Sequence, residues 1–283
     1  MTRVDLGGIA LNVEVAGQGP PLVLLHGFTG STAGWGATVE ALASEFTMVA
    51  VDIVGHGKSD APESGERYRM ERCVDDLVLL VRKAGYEQAC WLGYSMGART
   101  ALQVAVRRPA AVSALVLEGG SPGLATEEER ADRVRADEAL AERIERDGIE
   151  AFVAYWEAVP LFATQPSELR AALRPGRLAC SAQGLANSLR GMGTGVQPAL
   201  HGRLGSVRAP VLLVTGALDV KFTEIAGEMA RALPDATMHI VNDAGHAAHL
   251  ERPDAFHAAV LDFLRDVHTT AIAGRHKGLR GAT

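Results

Sequence analysis

The pentapeptide Gly93-Tyr94-Ser95-Met96-Gly97 constrains this chain more than any other feature. It follows an apolar run from Ala89 to Gly93, with Trp91 and Leu92 inside it. A helical pattern comes next, from Ala98 to Arg107, and stops at Arg108-Pro109. A G-x-S-x-G run in that setting is a sharp strand-to-helix turn. Glycines flank the serine because the turn is too tight for side chains there. The serine hydroxyl is lifted above the end of a sheet, and the next helix aims its first N–H groups at the same place. Glycine and serine are common, so the five residues alone say little. The strand before them and the helix after them carry the signal.

The rest of the chain supplies the sheet. Residues 2–16 read as an antiparallel hairpin turning at Gly7-Gly8. Strand-like runs follow at Leu22–Leu25, Thr47–Asp52, Ala114–Glu118, Val211–Thr215 and Met238–Val241. Helical patterns lie between or after them, at 35–44, 69–84, 224–232 and 253–267. Strands alternating with helices predict a mainly parallel sheet with helices on both faces. No strand-like run occurs between Glu118 and Pro210. A helical insertion is expected there, after the sixth strand, beginning with the charge-alternating stretch Thr126–Asp147, which sets Leu140 and Ile144 on one face. The expected organisation is a core of 1–120 and 206–268, a helical cap of 121–205 and a flexible tail of 269–283. A cap in that position would cover the carboxyl ends of the strands, where such sheets bind ligands.

Two further residues complete a reactive set. Asp219 follows one late strand and His246 follows the next, so the chain order is Ser95, Asp219, His246. That is the order of a triad on the α/β-hydrolase fold, which is the fold class expected here. Histidine suits the task because it takes up and returns a proton near neutrality, and the aspartate fixes its tautomer. Two competitors stand beside them. His249 is an alternative base, placed within or against the start of the last helix. Glu118 is an alternative acid at the end of a core strand; its other expected role is a bond to the Gly119-Gly120 turn. His26-Gly27-Phe28 ends the first parallel strand. The backbone N–H groups of Phe28 and Met96 are the expected oxyanion donors, and His26 is read as structural.

Charge narrows the substrate. The 283 residues carry a net charge of -6, which argues against a nucleic-acid partner held by bulk charge. No apolar run approaches the length of a membrane span, and residues 1–5 contain no signal-like apolar stretch. Cys73, Cys90 and Cys180 show no CxxC spacing and are odd in number, so a reducing, cytoplasmic setting is expected. No metal-binding spacing is present, and neither metal nor cofactor is expected. Gly191–Gly195 follows a helix and lacks a lysine, so it does not read as a phosphate loop. Arg99 stands one helical turn after Ser95 and faces the same way, which suits it to bind an anion. Arg130, Arg133 and Arg135 are interleaved with acids, and spacing alone reads them as a salt-bridged surface; it gives Arg177 and Arg190 no stronger claim to a ligand.

Several longer runs resemble one family. They are His26-Gly27-Phe28-Thr29-Gly30, Gly93 to Arg99, and Leu117-Glu118-Gly119-Gly120-Ser121-Pro122-Gly123-Leu124. Trp156, Pro160-Leu161-Phe162-Ala163, Gly184 to Gly195, Gly216 to Phe222 and Ala244-Gly245-His246 extend the likeness over about residues 20–265. The Ser-Pro-Gly-Leu turn and the Ser-Leu-Arg-Gly-Met-Gly-Thr-Gly run are its most specific parts. Together they resemble the menaquinone-pathway synthases known as MenH, the 2-succinyl-6-hydroxy-2,4-cyclohexadiene-1-carboxylate synthases. The resemblance implies a lyase that eliminates pyruvate from a small tricarboxylate, with Ser95, His246 and Asp219 abstracting a proton. It also implies substrate contacts at Tyr94, Arg99, Arg133, Trp156 and Arg177, because guanidinium groups pair carboxylates bidentately. The alternative on the same triad is an ester or carbon–carbon bond hydrolase working through an acyl-enzyme.

Overall fold

Gly7 and Gly8, both at positive φ, reverse the chain between β1 (Thr2–Asp5) and β2 (Ala10–Ala16), which pair antiparallel. In this computed structural model the described residues are 2–280, with side chains described as far as Thr269. The chain continues through β3 (Pro21–Leu25), α1 (Gly36–Leu42), β4 (Thr47–Val51), α2 (Met70–Lys83), β5 (Ala89–Tyr94), α3 (Met96–Arg107) and β6 (Val112–Glu118). Three long helices follow with no strand among them: α4 (Glu127–Trp156), α5 (Ser167–Leu178) and α6 (Ala182–Met192). Then come β7 (Val211–Gly216), α7 (Val220–Ala232), β8 (Ala236–Val241), the single turn α8 (Ala248–Glu251) and α9 (Pro253–Arg280).

The eight strands form one sheet in the order β1-β2-β4-β3-β5-β6-β7-β8. β1 and β2 join antiparallel at one end, and every pairing from β4 to β8 is parallel. The central strands are apolar without a break, because both faces are covered. Leu22, Val23, Leu24 and Leu25 have no exposed surface at all. Alternate residues feed two cores. Val23, Leu25, Trp91 and Leu115 meet α2, α3 and α7 on one face. Leu22, Leu24, Leu92 and Val116 meet Leu42 of α1 and the Phe256, Val260, Leu264 stripe of α9 on the other. That stripe has the four-residue spacing of one helix face.

The topology places the site. From β3 the chain moves outward to β4, then crosses back to β5 on the other side of β3. A reversal of this kind opens a crevice between the carboxyl ends of the two strands. The loop carrying Phe28 leaves β3 there, and Ser95 leaves β5 beside it.

The elements depart from sequence expectation mostly at their ends. α3 begins at Met96 instead of Ala98, and α7 begins at Val220 instead of Glu224, where Asp219 caps it through the Phe222 N–H. α4 starts with a capping box between Thr126 and Glu129 and runs to Trp156, nine residues past the expected end, by way of a kink at Gly148 (φ 78°, ψ 173°). α9 continues past Val267 to Arg280, since no proline stops it. The tail expected to be loose, 269–283, therefore begins within a helix; residues 281–283 lie outside the described residues. We propose 121–205 as the cap and the remainder to 268 as the core. Within the cap, Ile144 and Phe152 of α4 bury against Leu185 and Leu189 of α6.

Candidate active site

Ser95 sits at φ 52° and ψ −106°, a backbone state that L-residues adopt only under constraint. The turn admits no side chain around it. A Cβ on Gly93 would strike the Gly97 carbonyl, and one on Gly97 would strike the Leu25 carbonyl. The Ser95 N–H donates to the Glu118 carbonyl at 2.8 Å, which fastens the strained residue to β6.

The serine hydroxyl lies 3.0 Å from His246 Nε2, and His246 Nδ1 lies 2.6 Å from Asp219 Oδ2. The imidazole tautomer that fits has Nδ1–H donating to Asp219, so Nε2 is left to accept from Ser95. Asp219 divides its carboxylate. Oδ2 faces the imidazole, and Oδ1 accepts the Phe222 N–H at the start of α7. The side chains of His246 and Asp219 are 1% and 9% exposed, so water barely screens their interaction. The Phe222 ring, 4.5 Å from the imidazole, covers one side of it.

Both competitors lie outside this set. Glu118 and His249 are buried against each other, with Glu118 Oε1 accepting the His249 N–H at 3.0 Å. Glu118 thus reaches the histidine loop and not the Gly119-Gly120 turn expected from the sequence. His26 is structural: its Nε2 accepts the Ile53 N–H at 3.0 Å, and burial pushes its pKa down. Met96 is the first residue of α3, so its N–H has no partner within the helix. The loop bearing Phe28 faces it across the crevice, and both residues line the cavity over Ser95.

That cavity is about 270 Å³. Its wall includes Ser95, His246, Tyr94, Phe28, Met96, Arg99, Arg133 and Trp156. Arg99 donates to the Met192 carbonyl at 3.0 Å and to Gln197 Oε1. Burial, and then the nearby Arg133 charge, push its pKa down to about 10. Arg133 is half-exposed and pairs with Asp137 at 2.8 Å; burial raises the pKa of that carboxyl. Trp156 Nε1 is buried with no hydrogen-bond partner among the described residues. Its indole stacks with Phe152 and meets Phe28 edge-on.

Arg177 is placed differently. It lines an adjoining cavity of about 130 Å³, which Phe28, Tyr94 and Phe162 border on the side of Ser95. Its guanidinium lies 5.3 Å from the Phe162 ring centroid and 3.3 Å from Glu157 Oε1. Sequence reasoning passed over Lys221 and Phe222 as wall residues of the catalytic cavity. The signal was their place immediately after Asp219. The remaining arginines are occupied elsewhere. Arg190 pairs with Glu138 and Glu145, Arg135 with Asp132, and Arg130 donates to the carbonyls of Leu124 and Ala125.

Comparison with known proteins places this geometry in context. Residues 20–253 match the family model of the alpha/beta hydrolase fold. A Bacillus subtilis (strain 168) protein named as a 2-succinyl-6-hydroxy-2,4-cyclohexadiene-1-carboxylate synthase is 44% identical over 260 residues, 89% of this chain and 94% of its own. The synthase of that name from Escherichia coli O1:K1 / APEC is 34% identical over 250 residues, 87% of this chain and 94% of its own. The solved structure of MenH from S. aureus superposes with a TM-score of 0.86 at 32% identity, covering 91% of this chain and 98% of that one.

Proposed function

We propose that this chain, which belongs to the 2-succinyl-6-hydroxy-2,4-cyclohexadiene-1-carboxylate synthase family on the α/β-hydrolase fold, makes that product in menaquinone biosynthesis. The reaction is a lyase step. Pyruvate is eliminated from 2-succinyl-5-enolpyruvyl-6-hydroxy-3-cyclohexene-1-carboxylate. The observation that carries this reading is that Ser95, His246, Arg99 and Arg133 all face one cavity.

The chemistry follows from where charge develops. The ring C–H beside the succinyl ketone is the acidic one, because its removal gives an enolate. Ser95, with its own proton drawn to His246, takes the ring proton, and Asp219 supports the imidazolium. The electron pair of the broken C–H bond forms the 2,3-double bond. The 3,4-double bond moves to the 4,5 position, and the bond from C5 to the enolpyruvyl oxygen breaks. His246 returns a proton to the departing enolate, which becomes pyruvate. No bond forms between Ser95 and carbon. The enolate oxygen belongs near the Phe28 and Met96 N–H groups, where donors fixed in advance stabilise developing charge. We assign the tricarboxylate's anionic groups to Arg99 and Arg133, with Tyr94 and Trp156 against the ring. Arg177 is within reach only of an arm that passes Phe28 and Tyr94, and the succinyl chain is the long one. No helix among the described residues is long and apolar enough to cross a membrane, and all three cysteines are free. We assign the protein to the cytoplasm on that footing.

The same triad would hydrolyse an ester through an acyl-enzyme. Two guanidinium groups at the reacting centre argue against it, since a neutral ester has no use for them. The test is pyruvate release, followed in a coupled assay beside a chromogenic ester, without added metal or nucleotide. Release well above background is expected, and Ser95→Ala should abolish it while still binding substrate. Release no faster than the uncatalysed reaction would reject the assignment.

A further inference from the structure

Asp219 holds the His246 ring, but nothing in the triad holds the backbone that carries it. The loop after β8 turns at Asp243, with φ 54°, and reaches His246 through Gly245. A loop left to itself would let the distance from imidazole to serine drift. A misplacement of about 1 Å at a reacting group costs on the order of 100-fold in rate.

Three backbone N–H groups of this loop, at alternate positions around His246, are bound by two buried glutamates. Glu251 Oε2 accepts from Gly245 at 2.9 Å, and Glu251 Oε1 accepts from Ala247 at 3.2 Å. Glu118 Oε1 accepts from His249 at 3.0 Å. Glu118 has no exposed surface, and Glu251 is 8% exposed. Glu118 also ties down the other partner, since its backbone carbonyl accepts the Ser95 N–H at 2.8 Å. One residue at the end of β6 therefore references both Ser95 and the histidine loop. Its other carboxylate oxygen makes a close contact without hydrogen-bond geometry. Glu118 Oε2 lies 2.8 Å from His249 Nδ1, and the His249 ring stacks on Trp35 at 4.5 Å with Tyr94 against it at 4.8 Å.

We propose that Glu118 is a positioning residue for the proton relay: with Glu251 it clamps the loop of His246 at a set distance from Ser95. This rests on the triad assigned above, not on the identity of the substrate. Two buried carboxyls are a costly filling for a core, and an apolar side chain would fill the space at less cost. What an apolar side chain lacks is the acceptor that three loop N–H groups need.

Glu118→Met keeps the volume and removes both acceptors; Glu118→Gln keeps one. The Met variant is expected to lower kcat for pyruvate release at least tenfold with KM within threefold, and the Gln variant to fall between it and wild type. Labelling of Ser95 by a fluorophosphonate should slow in the same order. Values of kcat and labelling rate within twofold of wild type in folded variants would overturn the proposal. A wild type that labels but releases no pyruvate counts against the reaction proposed above, and the labelling series still decides the positioning role. A wild type that never labels removes the triad and the positioning role together. If the variants do not fold, hydrogen exchange in the wild type decides. The N–H groups of Gly245, Ala247 and His249 should be protected as well as those of β7, and exchange at open-loop rates would refute the clamp.

Discussion

Arg99→Met separates the cost of a buried charge from its use. The guanidinium pKa is pushed down to about 10, well below the ordinary arginine value, chiefly because burial disfavours its charge. That shift corresponds to about 3 kcal/mol held against the folded state. The cost is present in full at neutral pH. A base whose folded-state pKa lies below its unfolded value regains stability only as pH rises above about 10 towards the ordinary arginine value. Methionine relieves this cost but strands the Met192 carbonyl and Gln197 Oε1, which Arg99 satisfies. Each unpaired acceptor costs roughly 1–3 kcal/mol, so the two effects partly cancel and the net change should lie between a gain of about 1 and a loss of about 3 kcal/mol. Activity has no such compensation. Losing a buried charge-assisted contact to a substrate carboxylate costs about 2–5 kcal/mol, or roughly 30- to 5,000-fold in kcat/KM. Urea denaturation measures the first quantity and the coupled pyruvate assay the second. A folded variant whose kcat/KM stays within threefold of wild type would refute the reasoning, because Arg99 would then be bonded to the cap and to nothing else.

His56 carries a pH prediction. Burial, and then repulsion from His26, push its pKa down to about 3, so the folded protein resists its protonation. Its stabilising share is complete above pH 6.5 and is lost as pH falls towards 3, reaching about 2 kcal/mol by pH 5. The urea midpoint should drop between pH 7 and pH 5, and His56→Asn should remove at least half of the drop; an unaltered pH dependence in that variant counts against this account. Lys221 is exposed at the cavity wall, where its charge attracts an anionic substrate through water. Lys221→Ala should raise KM by about three- to tenfold at low salt with kcat unchanged, and the difference should shrink near ~0.5 M salt, where exposed charges are screened. A KM effect that ignores salt would place the lysine in a direct, desolvated contact instead.

The parts of this site that could be read from the sequence are those written locally. Ser95 announces itself because its turn needs glycines at 93 and 97, a strand before and a helix after, all within about twenty residues. Asp219 and His246 were legible because each follows a strand that periodicity reveals, and the topology brings the ends of parallel strands together. What the sequence left open has the opposite property. Arg177 lies within a helix of unremarkable spacing, and only the packing of Phe28, Tyr94 and Phe162 puts it in an adjoining cavity. Glu118 and His249 were weighed as rivals for the triad one residue at a time. That they pair with each other, 131 positions apart, depends on how β6 and the histidine loop meet in space. Arg99 shows both sides at once. Its direction follows from standing one turn after Ser95, which the sequence states. Its charge is unusually costly because the cap closes over it and offers the Met192 carbonyl and Gln197, 93 and 98 positions away. On the proposed reading, the core sets where a proton is moved, through motifs legible in short windows. Cap residues such as Arg133 and Trp156 would join Arg99 of the core in selecting the anion, through contacts that exist only once the chain has folded back on itself. Substrate preference on this fold should then change most readily through residues that short-range sequence patterns describe least well.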